Sequence, residues 1–426
     1  MSEWESVRIA DEVDIQIGGT PSRIISSFWA KKPAGTPWIA ISDLKSKFVV
    51  DTAEYITDRG AQFSNVKMIP VSSTVMSFKL SVGRIGIVTR PMYCNEAIAI
   101  FLPRSERVNS RWLYHALPRA AGTVVTDTAV KGATLNKAKM AEMALNLPME
   151  AEQISIAQVL DTLDTTIHQT EAIVEKLKQV KQGLLHDLLT RGVGANGELR
   201  PSHEQAPELY QASPLGWIPK EWESSSVEAE FFVDSGITLG QHRVPRHKPR
   251  PYLRVANVHR SKLRLKDVAF LEASDSEAAQ KSLQQGDLLV VEGHASTEEI
   301  GRCAMANQEV SGFLFQNHLF RLRPKSLLNT YALLWMNSDF ARAYWRTEAA
   351  TSSGLNTINR TKLNNLSVAV PSNQEQELIA IIIGNMDERI HEEESSLEKF
   401  RSQKSGLMDD LLTGRVRVTP LLEAAP

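Results

Sequence analysis

Cysteine is nearly missing from this sequence: Cys94 and Cys303 are the only two in 426 residues. Two thiols make neither a disulfide framework nor a metal cluster, so a reduced, cytoplasmic setting is expected. No run reaches the roughly 18 apolar residues that a membrane helix needs. The N-terminus, Met1-Ser2-Glu3-Trp4-Glu5, has neither the basic nor the apolar stretch of a secretory leader. Catalytic signatures are missing too. There is no Gly-x-x-x-x-Gly-Lys-Ser/Thr phosphate loop, no Gly-x-Gly-x-x-Gly cofactor loop, no Asn/Asp-Pro-Pro-Tyr/Phe stretch, no His-Glu-x-x-His and no Cys-x-x-Cys. Asp287 and Glu292 suggest a carboxylate metal site, but the corresponding stretch 71–80 has no carboxylate, so they read as solvated strand-end groups. The sequence therefore assigns no catalytic residue, no metal ligand and no cofactor to this chain.

Proline is absent from residues 150–190, and Gly183 is the sole glycine there. What is present is an internal repeat. Pro148-Met149-Glu150-Ala151-Glu152-Gln153 recurs as Pro371-Ser372-Asn373-Gln374-Glu375-Gln376, an offset of 371 − 148 = 223. The same offset carries Lys181-Gln182-Gly183-Leu184-Leu185-His186-Asp187-Leu188-Leu189-Thr190 onto Lys404-Ser405-Gly406-Leu407-Met408-Asp409-Asp410-Leu411-Leu412-Thr413 without a gap. Self-similarity at this length signals duplication. Upstream the likeness loosens: Trp4 faces Trp222, Ile17-Gly18-Gly19-Thr20 faces Ser235-Gly236-Ile237-Thr238, Arg84-Ile85-Gly86 faces Glu299-Ile300-Gly301, and Asn95 faces Asn317.

In 150–190, apolar residues fall at heptad spacing: Leu160, Ile167, Val174 and Leu188 on one position, Ile156, Leu163, Leu177 and Leu184 on the other. The second copy repeats this with Ile383, Ile390, Leu397, Leu411 and with Ile379, Met386, Phe400, Leu407. A 3.5-residue period over such a length predicts a coiled coil. Because both helices lie in one chain, the expected arrangement is an intramolecular antiparallel coiled coil. At about 1.5 Å per residue each helix spans roughly 60 Å. Lys181 and Lys404 fall in the seam, where polar groups fix register and partner choice. Glu150, Glu152, Glu375 and Glu377 lie in the first turns, favoured there by the helix dipole. Gly192 and Gly414 are placed to cap the ends.

The globular blocks, 1–149 and 222–371, read as mixed α/β (α+β) domains in tandem duplication. Strands are expected at 38–44, 74–78, 84–89, 97–102, 252–258, 287–291 and 318–322, and helices at 110–117 and 327–345. Segment 191–221, rich in Gly and Pro, reads as an extended connector. Charge alternates along the chain. Block 1–149 has 18 Lys/Arg against 13 Asp/Glu and 222–371 has 18 against 15, whereas 150–190 has 3 against 7 and 372–413 has 4 against 10. Basic blocks can face phosphates; acidic helices face a protein instead.

The duplicated Pro-x-x-x-Glu-Gln helices, their Gly-Leu-Leu/Met-x-Asp-Leu-Leu-Thr ends and the opening Pro214-Leu215-Gly216-Trp217-Ile218-Pro219-Lys220-Glu221-Trp222 resemble the specificity subunit of Type I restriction-modification systems. The resemblance implies target recognition domains at 1–149 and 222–371, a spacer helix at 150–192, a linker at 193–221, a second spacer helix at 372–414 and a tail at 415–426. It implies double-stranded DNA as ligand, each domain reading half of a split asymmetric site. It further implies two methyltransferase (modification) subunits and two restriction (motor) subunits as partners. S-adenosylmethionine, ATP and Mg are expected on those partners. A stand-alone sequence-specific DNA-binding regulator is the alternative.

Three loops per half are the expected DNA contacts, since Lys and Arg hold phosphates while Arg, Asn, Gln, His, Ser and Thr read base edges. The first carries Thr20, Ser22 and Arg23, matched by Gln241, His242 and Arg243, with Arg254 nearby. The second carries Lys79, Ser81 and Arg84, matched by His294 and Ser296. The third carries Lys131, Thr134 and Asn136, matched by Asn356 and Asn359. Thr134 and Asn136 match Thr357 and Asn359 at the 223 offset. Shared residues cannot distinguish two half-sites, so these are expected to touch the DNA backbone or hold the loop.

Overall fold

A computed structural model describes residues 4–79, 81–124, 135–348 and 356–419. The chain forms two compact units: Met1–Ala172 with Glu394–Pro426, and Ile173–Glu393. Each contains one globular block and parts of both long helices.

In the first unit a five-stranded sheet runs Val13–Ile17, Ile98–Pro103, Thr74–Ser77, Ile85–Val88, Phe48–Val49. Ile98–Pro103 pairs antiparallel on both sides, and Phe48–Val49 joins in parallel to Ile85–Val88. A second sheet orders Trp29–Ala30, Glu54–Ile56, Thr36–Ile39 and Tyr93–Cys94, the last pair parallel. A two-stranded ribbon, Glu5–Arg8 with Ala144–Leu147, returns the chain to the helix.

The second unit repeats this plan. Its four-stranded sheet orders Phe231–Ser235, Leu319–Pro324, Leu288–Val291 and Cys303–Met305. Its second sheet orders Ala269–Glu272, Pro249–Leu253 and Leu314–Phe315, again with one parallel pair. The closing ribbon is Glu223–Ser226 with Ser367–Val370.

The long helices are Glu150–Thr190 and Asn373–Leu411. In the first unit Lys404 pairs with Asp164, and Arg401 Nη2 lies 2.6 Å from Glu171 Oε1. One index falls as the other rises, so the helices run antiparallel there. In the second unit Lys181 pairs with Asp387. These two lysine pairs are copies, since 404 − 181 = 223 and 387 − 164 = 223. The seam residues Leu160, Ile167, Val174, Leu188, Ile383, Ile390, Leu397 and Leu411 are all buried. Ile156, Leu160, Leu411 and Leu412 complete the first unit's core; Ile379, Ile383, Leu188 and Leu189 complete the second's. Each core thus takes the first turns of one helix and the last turn of the other.

The repeated Glu-Gln pair sits in these cores. Gln153 Nε2 donates to the Pro148 carbonyl at 2.9 Å and to the Arg107 carbonyl at 2.7 Å, while its Oε1 accepts from Asn109 N at 2.8 Å. Gln376 does the same with the Pro371 carbonyl at 3.0 Å and Leu328 N at 2.8 Å. Glu152 accepts from Trp4 Nε1 at 3.1 Å and Arg417 Nη2 at 2.7 Å. Glu375 accepts from Trp222 Nε1 at 3.0 Å and Arg200 Nη2 at 3.1 Å. Glu152 and Glu375 are therefore buried joints between helix and globular block, and not surface charges tuned to the dipole. Gly192 and Gly414 take positive φ, +65° and +74°, as the helix ends require.

Several sequence expectations need correction. Strands expected at 38–44 and 252–258 stop at Ile39 and Leu253, and 3-10 turns follow at Ile41–Asp43 and Val255–Asn257. Asp43 Oδ2 accepts from Ala40 N at 2.9 Å, and Asn257 Oδ1 accepts from Arg254 N at 2.8 Å. A short polar side chain bonding its own backbone forces the turn, and hydropathy does not register it. The helix expected at 110–117 continues to Val124 through Pro118. That expected at 327–345 is two helices, Asn329–Met336 and Asp339–Glu348; Asn337 donates to the Cys303 carbonyl at 2.9 Å, and Ser338 Oγ starts the next helix by accepting from Ala341 N at 3.3 Å. Segment 191–221 is not an extended connector. It forms the hairpin Tyr210–Ser213 with Gly216–Pro219, and Val193, Tyr210 and Ile218 are buried. Asp287 is not solvated: it is buried and held by Arg323 Nε at 2.7 Å and Nη2 at 2.8 Å.

Candidate nucleic-acid interface

Three loops of the first unit converge at one end of its large sheet. Gly18 N donates to the Ile98 carbonyl at 3.1 Å and Gly19 N to the Cys94 carbonyl at 2.9 Å, which sets 19–23 beside the turn 94–97. A Cβ at Gly18 would collide with the carbonyls of Cys94 and Asn95, so only glycine allows this approach. Phe78 N donates to the Ala97 carbonyl at 2.9 Å and Leu135 N to the Phe78 carbonyl at 3.2 Å, bringing in the turn 77–84 and Asn136. Thr20 donates its hydroxyl to Glu96. That bond, with Lys79 and Arg23 nearby, holds the Glu96 carboxyl below the usual range.

The second unit assembles its loops on the same framework. Gly236 meets the carbonyls of Phe315 and Gln316, as Gly18 meets its own pair. Strand Gly293–His294 pairs with Asn356–Thr357, and Ile358 N donates to the Glu292 carbonyl at 2.7 Å. His318 Nδ1 lies 2.8 Å from Glu292 Oε2. His294 Nδ1 accepts from Ser296 N at 3.0 Å, and Ser296 Oγ accepts from Glu298 N at 3.3 Å.

Hydrogen-bond register changes two of the sequence pairings. Asn95 N donates to the Ile39 carbonyl and Gln316 N to the Leu253 carbonyl, so Asn95 is opposite Gln316 and Glu96 is opposite Asn317. Ser77 N donates to the Arg84 carbonyl and Val291 N to the Arg302 carbonyl, so Arg84 is opposite Arg302. Arg84 is exposed, whereas Arg302 is buried and pairs with Glu299 at 2.9 Å. One framework position thus holds an outward cation in one unit and an inward one in the other.

The expected contact residues divide into distinct environments. Arg23 Nη2 donates to Glu54 at 3.0 Å, and its guanidinium stacks 3.9 Å from the Trp29 ring. Arg243 Nη2 donates to Glu277 Oε1 at 2.6 Å, and this partner pulls the Glu277 pKa down to about 2. Arg254 Nη2 donates to Asp267 at 2.7 Å. Arg243 and Arg254 are thereby tied to carboxylates that flank the second sheet. Asn136 and Asn359 cap the helices Lys137–Ala141 and Arg360–Asn364, each Oδ1 accepting at 2.8 Å from the backbone N of Lys139 or Lys362. Lys79 and Arg84 are exposed and form no ion pair among the described residues. Ser22 gives its carbonyl to Trp29 Nε1 at 3.1 Å. Gln241 and His242 are exposed. Lys131 and Thr134 lie outside the described residues.

Sequence reasoning missed the carboxylates Glu54, Asp267 and Glu277, which stand 13 to 34 residues from the arginines they hold. It also passed over Ile24, which is 95% exposed between Arg23 and Ile25. Isoleucine reads as core by residue type, and only the fold shows this one outside.

One further polar cluster lies against the central helix. His115 Nε2 is 2.7 Å from Asp161 Oδ1, Lys47 pairs with the same oxygen, and Arg111 Nε is 3.4 Å from Asp161 Oδ2. Burial lowers the pKa of Lys47 and of His115, opposed in each case by Asp161. The ligating atoms of His115, Asp161 and Asp164 lie within 4.8 Å of one another, but ammonium groups of Lys47 and Lys404 already occupy the two carboxylates. The cluster is an ion network fastening the strand at Phe48–Val49 to the helix.

No helix among the described residues is long and apolar enough to cross a membrane. The family model described as Type I restriction modification DNA specificity domain matches residues 1–179 and 265–399. The Type I restriction enzyme StySPI specificity subunit of Salmonella potsdam is 29% identical over 254 residues, covering 58% of this chain and 51% of that protein. The chain thus spans about half the length of that relative. The MjaVIII specificity subunit of Methanocaldococcus jannaschii is 21% identical over 441 residues, covering 98% of this chain and 94% of the other. Among solved structures, the Type-I restriction-modification S subunit from M. genitalium shares the fold with a TM-score of 0.53 at 12% identity, covering 96% of each chain.

Proposed function

Because this chain belongs to the family of Type I restriction-modification DNA specificity domains, we propose that it is the sequence-reading subunit of such a complex. It binds a two-part, asymmetric DNA site, one half per recognition domain, and scaffolds two methyltransferase subunits and two restriction subunits. It performs no chemistry itself; S-adenosylmethionine, ATP and Mg act on the partners. The observation that supports this reading is the contrast between frame and loops. Both units place Gly18 or Gly236, the capping Asn136 or Asn359 and the buried Glu-Gln joint identically. The groups those frames hold differ: Glu96 stands against Asn317, and the outward Arg84 against the inward Arg302. Two unlike readers on one frame suit an asymmetric target, because phosphate contacts position while base contacts specify.

The test is reconstitution of the chain with its methyltransferase subunits and S-adenosylmethionine, followed by mapping of modified adenines. A single motif of two unlike halves at a fixed gap is the expected product. Tight, specific binding by the isolated chain, unchanged when the partners are added, would instead make it a stand-alone regulator.

A further inference from the structure

The first reader loop ends in an apolar tip. Ile24 is 95% exposed, Ile25 42% and Phe63 65%. The loop beneath them is pinned by hydrogen bonds. Trp38 Nε1 donates to the Gly19 carbonyl at 2.9 Å, Trp29 Nε1 to the Ser22 carbonyl at 3.1 Å, and Phe28 N to the Ile25 carbonyl at 3.1 Å. Arg23 is clasped by Glu54 and the Trp29 ring. Phe63 stacks on Phe28 with centroids 6.3 Å apart, which joins the segment 57–68 to the same tip. That segment contributes two exposed cations, Arg59 and Lys67, with no carboxylate partner among the described residues.

We infer that Ile24 enters a groove of the target duplex and packs on the 5-methyl group of a thymine, with Arg59 and Lys67 on the flanking phosphates. The inference rests on the proposed function and names which residue of the first reader touches a base. Arg23, the obvious candidate from sequence, is already engaged on both its edge and its face. A hydrogen-bonded loop bearing an unpartnered aliphatic side chain beside Thr20 and Ser22, flanked by exposed cations that no carboxylate pairs among the described residues, suits a polyanion with apolar base edges. The thymine methyl is the apolar feature of the major groove. An acidic protein surface is the competing occupant, and the experiment separates the two.

The complex of this chain with its methyltransferase subunits is titrated against DNA carrying its mapped target. Each thymine of the first half-site is replaced in turn by deoxyuridine, which removes only the methyl group. Wild-type affinity is expected to fall about fourfold at one thymine, the effect of one buried methyl group. Ile24→Ala is expected to lose about as much on unmodified DNA and nothing more on the deoxyuridine duplex. Because Ile24 is almost fully exposed, the variant folds, and its melting temperature checks this. Overturning results are a variant that binds like wild type, additive losses from variant and deoxyuridine, or a variant that fails to capture methyltransferase while binding DNA normally. A wild-type complex with no sequence preference would overturn the proposed function itself, before any variant is made.

Discussion

At the scale of single residues, Glu375 fastens the start of the second long helix to Arg200 and Trp222. It is 6% exposed and neutralises Arg200, whose side chain is 10% exposed, while accepting from Trp222. Glu375→Gln leaves the half-buried guanidinium with only the exposed Glu221, 2.6 Å away, as counter-charge, so a loss below the about 3–5 kcal/mol of a fully stripped buried pair is expected in denaturant unfolding of the second unit. Glu152 is its copy. Burial alone raises its pKa, but Arg417 and Trp4 outweigh that and the net shift is downward. A carboxylate depressed in the folded state adds stability that is complete above its unfolded value, about 4.5, and is lost as pH falls through the folded one. The first unit is therefore expected to melt earlier as pH drops below about 4.5, and Glu152→Gln to melt low at every pH with that part of the acid slope removed. Arg84 is exposed on the turn after Ser77, so Arg84→Ala is expected to weaken binding to all DNA sequences alike. The slope of log K against log salt should shrink by about one unit. A changed base preference would make Arg84 a reader. The repeated Glu-Gln motif was visible in the sequence, but its burial was not, because a glutamate near a helix start normally faces water.

At the scale of elements, the helices were the most legible part, since a 3.5-residue period over 40 positions survives many polar interruptions. Lys181 and Lys404 fell in the expected seam, yet their partners Asp387 and Asp164 had to come from the fold. Asp164→Lys alone is expected to lower the melting temperature, and Lys404→Asp in the same chain to restore most of it, a coupling of about 1–2 kcal/mol. Additive losses would show that the pair contributes nothing. The strands were found to within a few residues where they are apolar, at Thr74–Ser77, Ile85–Val88, Ile98–Pro103 and Leu288–Val291. They failed where Asp43 and Asn257 bend the chain, because a polar side chain folding back on its backbone leaves no period. Segment 191–221 was misread for the same reason: glycine and proline announce turns and say nothing about what those turns pack against.

At the scale of the whole molecule, duplication was the decisive signal, and it told more about frame than about contacts. Frame residues repeat; the displayed groups do not, and no repeat can reveal which arginine is held by a distant carboxylate. The acidic helices carry the assembly prediction. Reversing the exposed Glu392 to lysine is expected to reduce methyltransferase capture in size-exclusion chromatography while leaving the melting temperature within about 1 °C, since exposed charges contribute little to stability. Unchanged capture would move the docking surface elsewhere.

The joint around Glu152 has a practical consequence for the end of the chain. Arg417 reaches that carboxylate at 2.7 Å, Thr419 Oγ1 lies 3.4 Å from it, Val418 is 3% exposed, and Gly414 turns the chain against Trp4. The residues after the second helix are thus a keystone, not an overhang. A stop codon placed after Thr413 would strip a buried acid of its only guanidinium among the described residues and unseat the first tryptophan, so truncation at the far terminus would show up as damage to the opening domain.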